Sequence, residues 1–420
     1  MLHGQGVPRY SLAERDRRWA IARSVMADEE VDALIVYGEH ECVGVAPFAP
    51  DVYFTNDRPG AMVVFAGDGD PVSLVRVPAF ICDHIEATRR ADRIWIGPRN
   101  MRLGLNPTGV ADLLRELGLE RSSIGVIGLD PCPPFHFNAI MPYNLWTGVL
   151  SELPLARFTS VWTSFVLHTL RQSQEELAVL AHGARIGQAM ASAMARAARP
   201  GVTEAQVHAA AMAEGYERGA AAPGMLLSSG PGFVSLGPPA WSYRPQAPRV
   251  IEEGDVILAE LFATFGMRES QHQVAIAVGA IHADLERAAA VARAAYEVAL
   301  VGLRPGNSFG DVAAAMEQTL KDGGGWIVRP FIHGLNPWAA SSGFGTGLKA
   351  HAADLGYGPL EHIPTAGAGL PLAPGMTFSV EPNCAFGGRM MHLGGTVVVG
   401  EEEPLELGPA TARLMRAAPE

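Results

Sequence analysis

An α/β chain of two domains, the second built on a pseudo-two-fold duplication, is the fold class that the sequence predicts. Three observations carry this. The chain has 420 residues and 48% hydrophobic content, enough to bury a large core and long for one domain. Its first 160 or so residues alternate helical and strand patterns. Its remainder contains a word that recurs: Arg199-Pro200-Gly201-x-Thr203-x-x-x-Val207 returns as Arg304-Pro305-Gly306-x-Ser308-x-x-x-Val312, an offset of 105 residues (304 minus 199).

Ser11 to Ala27 is predicted helical, with Leu12, Trp19, Ile21, Ala22 and Met26 on its apolar face. Val31–Tyr37, Ala61–Phe65, Pro71–Val77, Arg93–Ile96 and Ile124–Leu129 are short β-branched runs bounded by Gly, Asp and Pro, and read as strands. Ser160 to Gln174 is the expected linker, dividing a domain 1–162 from a domain 163–420. A long helix over Gln174–Ala198 follows, with Glu175 and Glu176 near the positive end of its dipole. Each copy of the repeated word closes one alanine-rich helix with Pro-Gly and caps the next with Thr203 or Ser308. A strand pair lies between the copies. A helix–helix–strand unit made twice is what a pseudo-two-fold fold requires.

Composition removes several function classes. A net charge of −12 argues against a nucleic-acid partner, which calls for a basic stripe. No apolar run approaches the ~18 residues of a membrane span. Met1-Leu2-His3-Gly4-Gln5 lacks a basic region followed by an apolar one, so no secretory signal is expected. Cys42, Cys82, Cys132 and Cys384 have no metal-like spacing and read as reduced thiols of a cytoplasmic protein.

Polar words punctuate the second domain: Gly254-Asp255-Val256 through Gln271, then Pro330-Phe331-Ile332-His333-Gly334, then Pro374-Gly375-Met376 through Glu381-Pro382. In this order and at these separations they resemble the creatinase, aminopeptidase P and methionine aminopeptidase superfamily (M24), whose C-terminal fold is called pita bread. The opening, a helix followed by Val31-Asp32-Ala33-Leu34-Ile35-Val36 and then Asp51-Val52-Tyr53-Phe54-Thr55, is similar to the N-terminal domain of creatinase and prolidase. The words Arg171–Glu176 and Arg199–Glu204 resemble that family's entry into its catalytic domain.

The resemblance implies a two-metal cage of four carboxylates and one histidine, falling here on Glu260, Gln271, His333, Glu381 and Gly394. Gln271 is neutral and Gly394 has no side chain, so two negative charges remain where four are wanted. Two divalent ions call for more. A metal-free site is therefore the first expectation, with His333 as acid–base and with Glu260 and Glu381 on the same cavity; creatinase is the family precedent. The structural alternative for Glu381 is that its Glu-Pro strand end is retained for folding alone. The alternative is one divalent metal (Zn, Fe or Mn) on Glu260, His333, Glu381 and His392, since strand alternation puts His392 on the face of Gly394. His272 is expected to point the other way.

Other candidates follow from the same resemblance. Glu361-His362-Ile363-Pro364 matches a His-Glu-x-Pro word with its polar pair exchanged, making His362 a proton donor or a surface residue and Glu361 an expected substrate contact. Trp241-Ser242-Tyr243-Arg244-Pro245 stands where a substrate-contacting histidine is usual; Arg244 and Tyr243 are the expected substrate contacts, with Gln271 and Trp338. Ser341 to Gly347, rich in glycine, reads as a mobile cover or a floppy insertion. Arg268-Glu269-Ser270-Gln271-His272-Gln273 is polar on both strand faces, so one face is expected to meet ligand or water. Gly394 leaves a space where substrate is expected.

The reading is a creatinase-like hydrolase of a C–N bond in a small, amino-acid-like molecule, expected as a cytoplasmic homodimer without membrane or nucleic-acid partners. Its rivals are a metal-dependent Xaa-Pro aminopeptidase or dipeptidase with an altered mononuclear site, a lyase, and a catalytically inactive binding module.

Overall fold

The computed structural model describes residues 6–38, 49–130, 140–221 and 224–418, so Cys42 and Cys132 lie outside the described residues. The chain forms two compact units, one from Pro8 to Glu175 and another beginning at Glu176.

The first unit opens with α1 (Leu12–Asp28), whose N-cap Ser11 accepts a hydrogen bond from the Glu14 backbone N–H. Then come β1 (Ala33–Tyr37), α2 (Pro50–Thr55), β2 (Met62–Ala66), β3 (Val72–Val75), α3 (Pro78–Arg89), β4 (Met101–Leu103), α4 (Pro107–Glu116), β5 (Ser123–Ile127), α5 (Tyr143–Glu152), β6 (Arg157–Ser160) and α6 (Trp162–Thr169). The six strands form one mixed sheet in the order β4-β3-β2-β1-β5-β6. Every residue of β1 is buried, as its unbroken apolar run demands for a central strand. Two expectations are corrected. Arg93–Ile96 is not a strand: the Trp95 N–H bonds to the Thr55 carbonyl while Trp95 and Ile96 are buried, so the run is an apolar anchor on a loop. Most of the expected linker is α6, whose Phe165 is fully buried against the rings of Tyr53 and Phe54.

The second unit contains α7 (Gln174–Ala197), α8 (Glu204–Glu217), β7 (Gly224–Gly230), β8 (Val256–Phe265), β9 (Arg268–Ala277), α9 (Ala283–Gly302), α10 (Phe309–Asp322), β10 (Ile332–Leu335), α11 (Leu348–His351), β11 (Thr377–Val380), β12 (Asn383–Phe386), β13 (Arg389–His392), β14 (Gly394–Val398), β15 (Leu405–Glu406) and β16 (Met415–Arg416). Its main sheet runs β10-β11-β14-β9-β8-β7, with β15 added to β14 and β16 to β9. β9 and β14 pair antiparallel at the centre, flanked by β8 and β11 and then by β7 and β10. The order reads the same from either edge, one half per copy of the repeated word.

The two copies are alike in detail. Gly201 and Gly306 take φ of +87° and +95°, a conformation that favours glycine. Thr203 and Ser308 each cap the following helix in a capping box, with Gln206 and Asp311 as the reciprocal partners. Each cap also bridges to the chain that leads into its half of the sheet, Thr203 to Val250 and Ser308 to Pro371. The duplication is thus one of backbone structure.

Alternation along β9 sorts its polar run onto two faces. Ser270 and His272 face α7. A Cβ on Gly187 would lie 2.3 Å from the His272 ring, and one on Gly408 would lie 2.6 Å from its other side, so both glycines make room for it. Burial pushes the His272 imidazole down to about 4, so it is a neutral core residue. Arg268 forms a buried ion pair with Glu176 at the start of α7. Glu269, Gln271 and Gln273 occupy the opposite face.

Candidate active site

Cross-strand register assembles the polar face into one row. Glu260 on β8 is opposite Gln273 on β9, and Gln273 is opposite Gly394 on β14. Val380 on β11 is opposite Gly395, so Glu381, the next residue along, comes level with Gly394. The Glu381 N–H in turn bonds to the Phe331 carbonyl (3.0 Å). His333 on β10 lies opposite Ser379, which alternation places on the Glu381 face. Glu260, Glu269, Gln271, Gln273, His333 and Glu381 are all buried.

Each of the three carboxyls receives a hydrogen bond from a side chain of the same cluster. Arg329 Nη2 donates to Glu260 Oε2 at 2.8 Å. Gln271 Nε2 donates to Glu269 Oε1 at 3.0 Å, and Gln273 Nε2 to Glu381 Oε2 at 2.7 Å. Gly394 stands between Gln273 and Glu381 in the row, and its missing side chain is what lets the Gln273 amide span that gap. The space expected to hold substrate is therefore crossed by an amide.

His333 Nδ1 lies 2.7 Å from the Gly334 carbonyl oxygen. A carbonyl only accepts, so Nδ1 is the donor in this contact and Nε2 is the nitrogen left to face the cluster. Nε2 is 3.5 Å from Glu381 Oε1. Trp338 stacks on the imidazole, with ring centroids 3.9 Å apart and planes at 23°. Burial, reinforced by the Glu260 charge and opposed by Arg329, holds the Glu381 carboxyl well above the usual carboxylate range. An imidazole whose Nδ1 is held by a carbonyl thus faces a carboxyl whose surroundings strengthen its hold on a proton, a pair suited to opposite proton-transfer roles.

Burial also pushes Glu269 up to about 7, against the Gln271 hydrogen bond that lowers it and with the Glu260 charge that raises it further. The folded state therefore holds a proton that the unfolded chain releases near its ordinary value of 4.5. This contribution is fully present below pH 4.5 and is lost as pH rises through 7, by at most about 3 kcal/mol. Urea unfolding at pH 5 and pH 8 should show the loss, and Glu269→Gln should reduce it; an unchanged pH slope in that variant would refute the assignment.

The structure does not bring every expected residue into this cluster. His362 and Glu361 are exposed, because Ile363 pairs with Phe344 on a surface bridge that turns the word outward. Tyr243 and Arg244 are exposed on the turn after Ala240–Ser242, with the guanidinium 5.2 Å from the centre of the Tyr243 ring. His392 is buried, but its Nε2 lies 3.3 Å from the Val274 carbonyl oxygen. Its imidazole is pushed down to about 3, by burial first and the Arg329 charge second, against hydrogen bonds to the Val274 and Ala259 carbonyls. The Ser341–Gly347 segment is not loose at its start: Ser341 pairs with Ala366, and Ser342 Oγ accepts from the Phe331 and Ile332 N–H groups.

Four residues were missed as site members. Arg329, Glu269 and Gln273 each take part in one of the three carboxyl hydrogen bonds, and Asn336 clamps the start of β9. The Asn336 side chain accepts from the Glu269 N–H (3.0 Å) and donates to its carbonyl (2.8 Å). The signal for Glu269 and Gln273 was present, since they alternate with Gln271. Arg329 had only its place four residues before His333.

The donor set does not fit a metal pair. Gln271 turns an amide N–H toward Glu269, Arg329 already puts a cation on Glu260, and Gly394 cannot carry a ligand. It has φ +140°, and a Cβ there would lie 1.9 Å from the Val380 carbonyl oxygen. The single-metal set fails at His392, whose ring is engaged with strand carbonyls. Among the described residues no group of three or more His, Cys, Asp or Glu is arranged to hold a metal ion, and no helix is long and apolar enough to cross a membrane.

Comparison with known proteins shows the family. Residues 179–401, more than half of the chain, match the model of "Metallopeptidase family M24". The chain is 27% identical over 310 residues to the "Probable dipeptidase PepE" of Mycobacterium bovis and of Mycobacterium tuberculosis, covering 67% of this chain and 75% of the relative in each case. Among solved structures it is similar to dipeptidase PepE from Mycobacterium ulcerans, with TM-score 0.68, 21% identity, and coverage of 97% of this chain and 99% of that one. It is also similar to the Xaa-Pro dipeptidase from Bacillus anthracis, with TM-score 0.69, 17% identity, and coverage of 96% and 99%. The architecture is the pita-bread fold preceded by a prolidase-type N-terminal α/β domain. The chain belongs to metallopeptidase family M24, hydrolases of C–N peptide bonds.

Proposed function

We propose that this protein hydrolyses the C–N bond of a short peptide or peptide-like amide of about dipeptide size, by proton transfer between His333 and Glu381. The relatives named as dipeptidases favour a peptide bond over the creatinase-like substrate that the sequence favoured. The observation that carries the chemistry is His333 Nε2 set 3.5 Å from the Glu381 carboxyl, whose hold on a proton is strengthened by burial. His333 Nε2 takes a proton from the attacking water, and the Glu381 carboxyl gives one to the leaving nitrogen. The water oxygen forms the new bond to carbonyl carbon as the C–N bond breaks, so atoms and protons balance. Trp338 holds the imidazole plane, and the Gly334 carbonyl fixes its tautomer. The free thiols Cys82 and Cys384 agree with the cytoplasm as its place of work.

A panel of dipeptides, including Xaa-Pro and N-acetylated members, tests the reading. Hydrolysis that persists in excess chelator is expected. Absence of turnover on every member would sink the peptidase reading. Turnover abolished by chelator and restored by Mn or Zn would install the metal-dependent rival in its place.

A further inference from the structure

We propose that Arg329 is a built-in cation that stands in for the divalent metals in this cluster, and that its second nitrogen is a donor for the substrate carbonyl oxygen. This rests on the reading of the cluster as a hydrolytic site and adds an electrophile to it.

Glu260, Glu269 and Glu381 share one buried face, and burying even one carboxylate without a counter-cation is costly. The cation present is the Arg329 guanidinium, fixed by Nη2 on Glu260 Oε2 at 2.8 Å. The two glutamines supply dipoles to Glu269 and Glu381 but no charge. One guanidinium therefore does for this cluster what metal ions do for a richer set of carboxylates, and a planar fork suits it to serve two acceptors at once. Its other nitrogen, Nη1, is buried and has no hydrogen-bond partner among the described residues. The side chain as a whole is 22% exposed, whereas that of Glu260 is 5% exposed. The guanidinium thus has one nitrogen anchored on Glu260 and one uncommitted. A fixed N–H donor beside a general acid and base is what a developing oxyanion requires. The sequence agrees in charge: Gln271 and Gly394 remove two negative charges where one monovalent cation replaces metal ions.

Calorimetric titration with MnCl2 and ZnCl2 tests this without any turnover. The wild type should bind neither ion stoichiometrically at concentrations up to about 1 mM, and its melting temperature should not respond to them. Arg329→Met should bind one ion per chain at least tenfold more tightly, with a metal-dependent rise in melting temperature. Arg329→Lys, which keeps the charge, should exclude metal as the wild type does. Should Arg329→Met not fold, the wild type and the lysine variant still decide. Wild-type binding of one Mn or Zn per chain at micromolar affinity overturns the proposal, as does metal binding by the lysine variant. The hydrolase reading itself rests separately on whether any member of the dipeptide panel is turned over.

Discussion

Replacing His333 by alanine abolishes turnover while the fold persists. The imidazole is the proposed base of the cluster, with Nδ1 held by the Gly334 carbonyl and Nε2 toward Glu381. A positioned general base contributes about 10²- to 10⁴-fold to rate, and no other described imidazole stands ready to replace it. His362 is exposed, and His272 and His392 are buried against other partners. Fold survival follows from the backbone. The strand pairing of residue 333 with Ser379 does not involve the imidazole, and losing the Trp338 stacking contact costs about 1 kcal/mol. The check is kcat on the best substrate of the dipeptide panel, beside a circular-dichroism melt. Activity within about tenfold of wild type, or a chain that no longer folds, would show His333 to be structural.

Returning a carboxylate to the row by Gly394→Glu destabilises the protein rather than rebuilding a metal site. A Cβ at this position meets the Val380 carbonyl oxygen at 1.9 Å, its carbon at 2.9 Å and the Glu381 Cα at 3.2 Å. These are backbone atoms of the next strand and cannot swing aside. The φ of +140° adds strain for any L side chain. The new carboxylate would also sit in the path of the Gln273–Glu381 hydrogen bond. Steric overlap, backbone strain and a lost buried hydrogen bond together place the cost at about 4 kcal/mol or more. Solubility on expression and urea unfolding report it. A variant that melts with the wild type and takes up metal would show that β14 relaxes easily and that only the missing side chain kept the metals away.

Much of the fold was legible because it is written in local chemistry. Thr203 and Ser308 cap their helices, Gly201 and Gly306 supply left-handed turns, and the apolar run of β1 is buried as a central strand must be. Where an apolar run served as an anchor, as at Trp95, the same pattern misled, since burial of a side chain does not require a ladder. Of the site residues, Glu260, Gln271, His333, Glu381 and Trp338 come together. Each lies on a strand of the central sheet or within a few residues of one. His362, Glu361, Arg244 and Tyr243 were drawn from loop words, and loops turn side chains outward as easily as inward.

The sequence by itself determined the duplicated scaffold and the loss of charge at Gln271 and Gly394, because backbone conformation and residue type are properties of short segments. Only the tertiary structure decided what replaces that charge. The arginine that answers Glu260 lies 69 residues further along the chain, and the glutamine that answers Glu381 lies 108 residues before it. The His392 ring, two residues before Gly394, turns to strand carbonyls. Pairings of that range are set by cross-strand register and side-chain direction, which no stretch of sequence states.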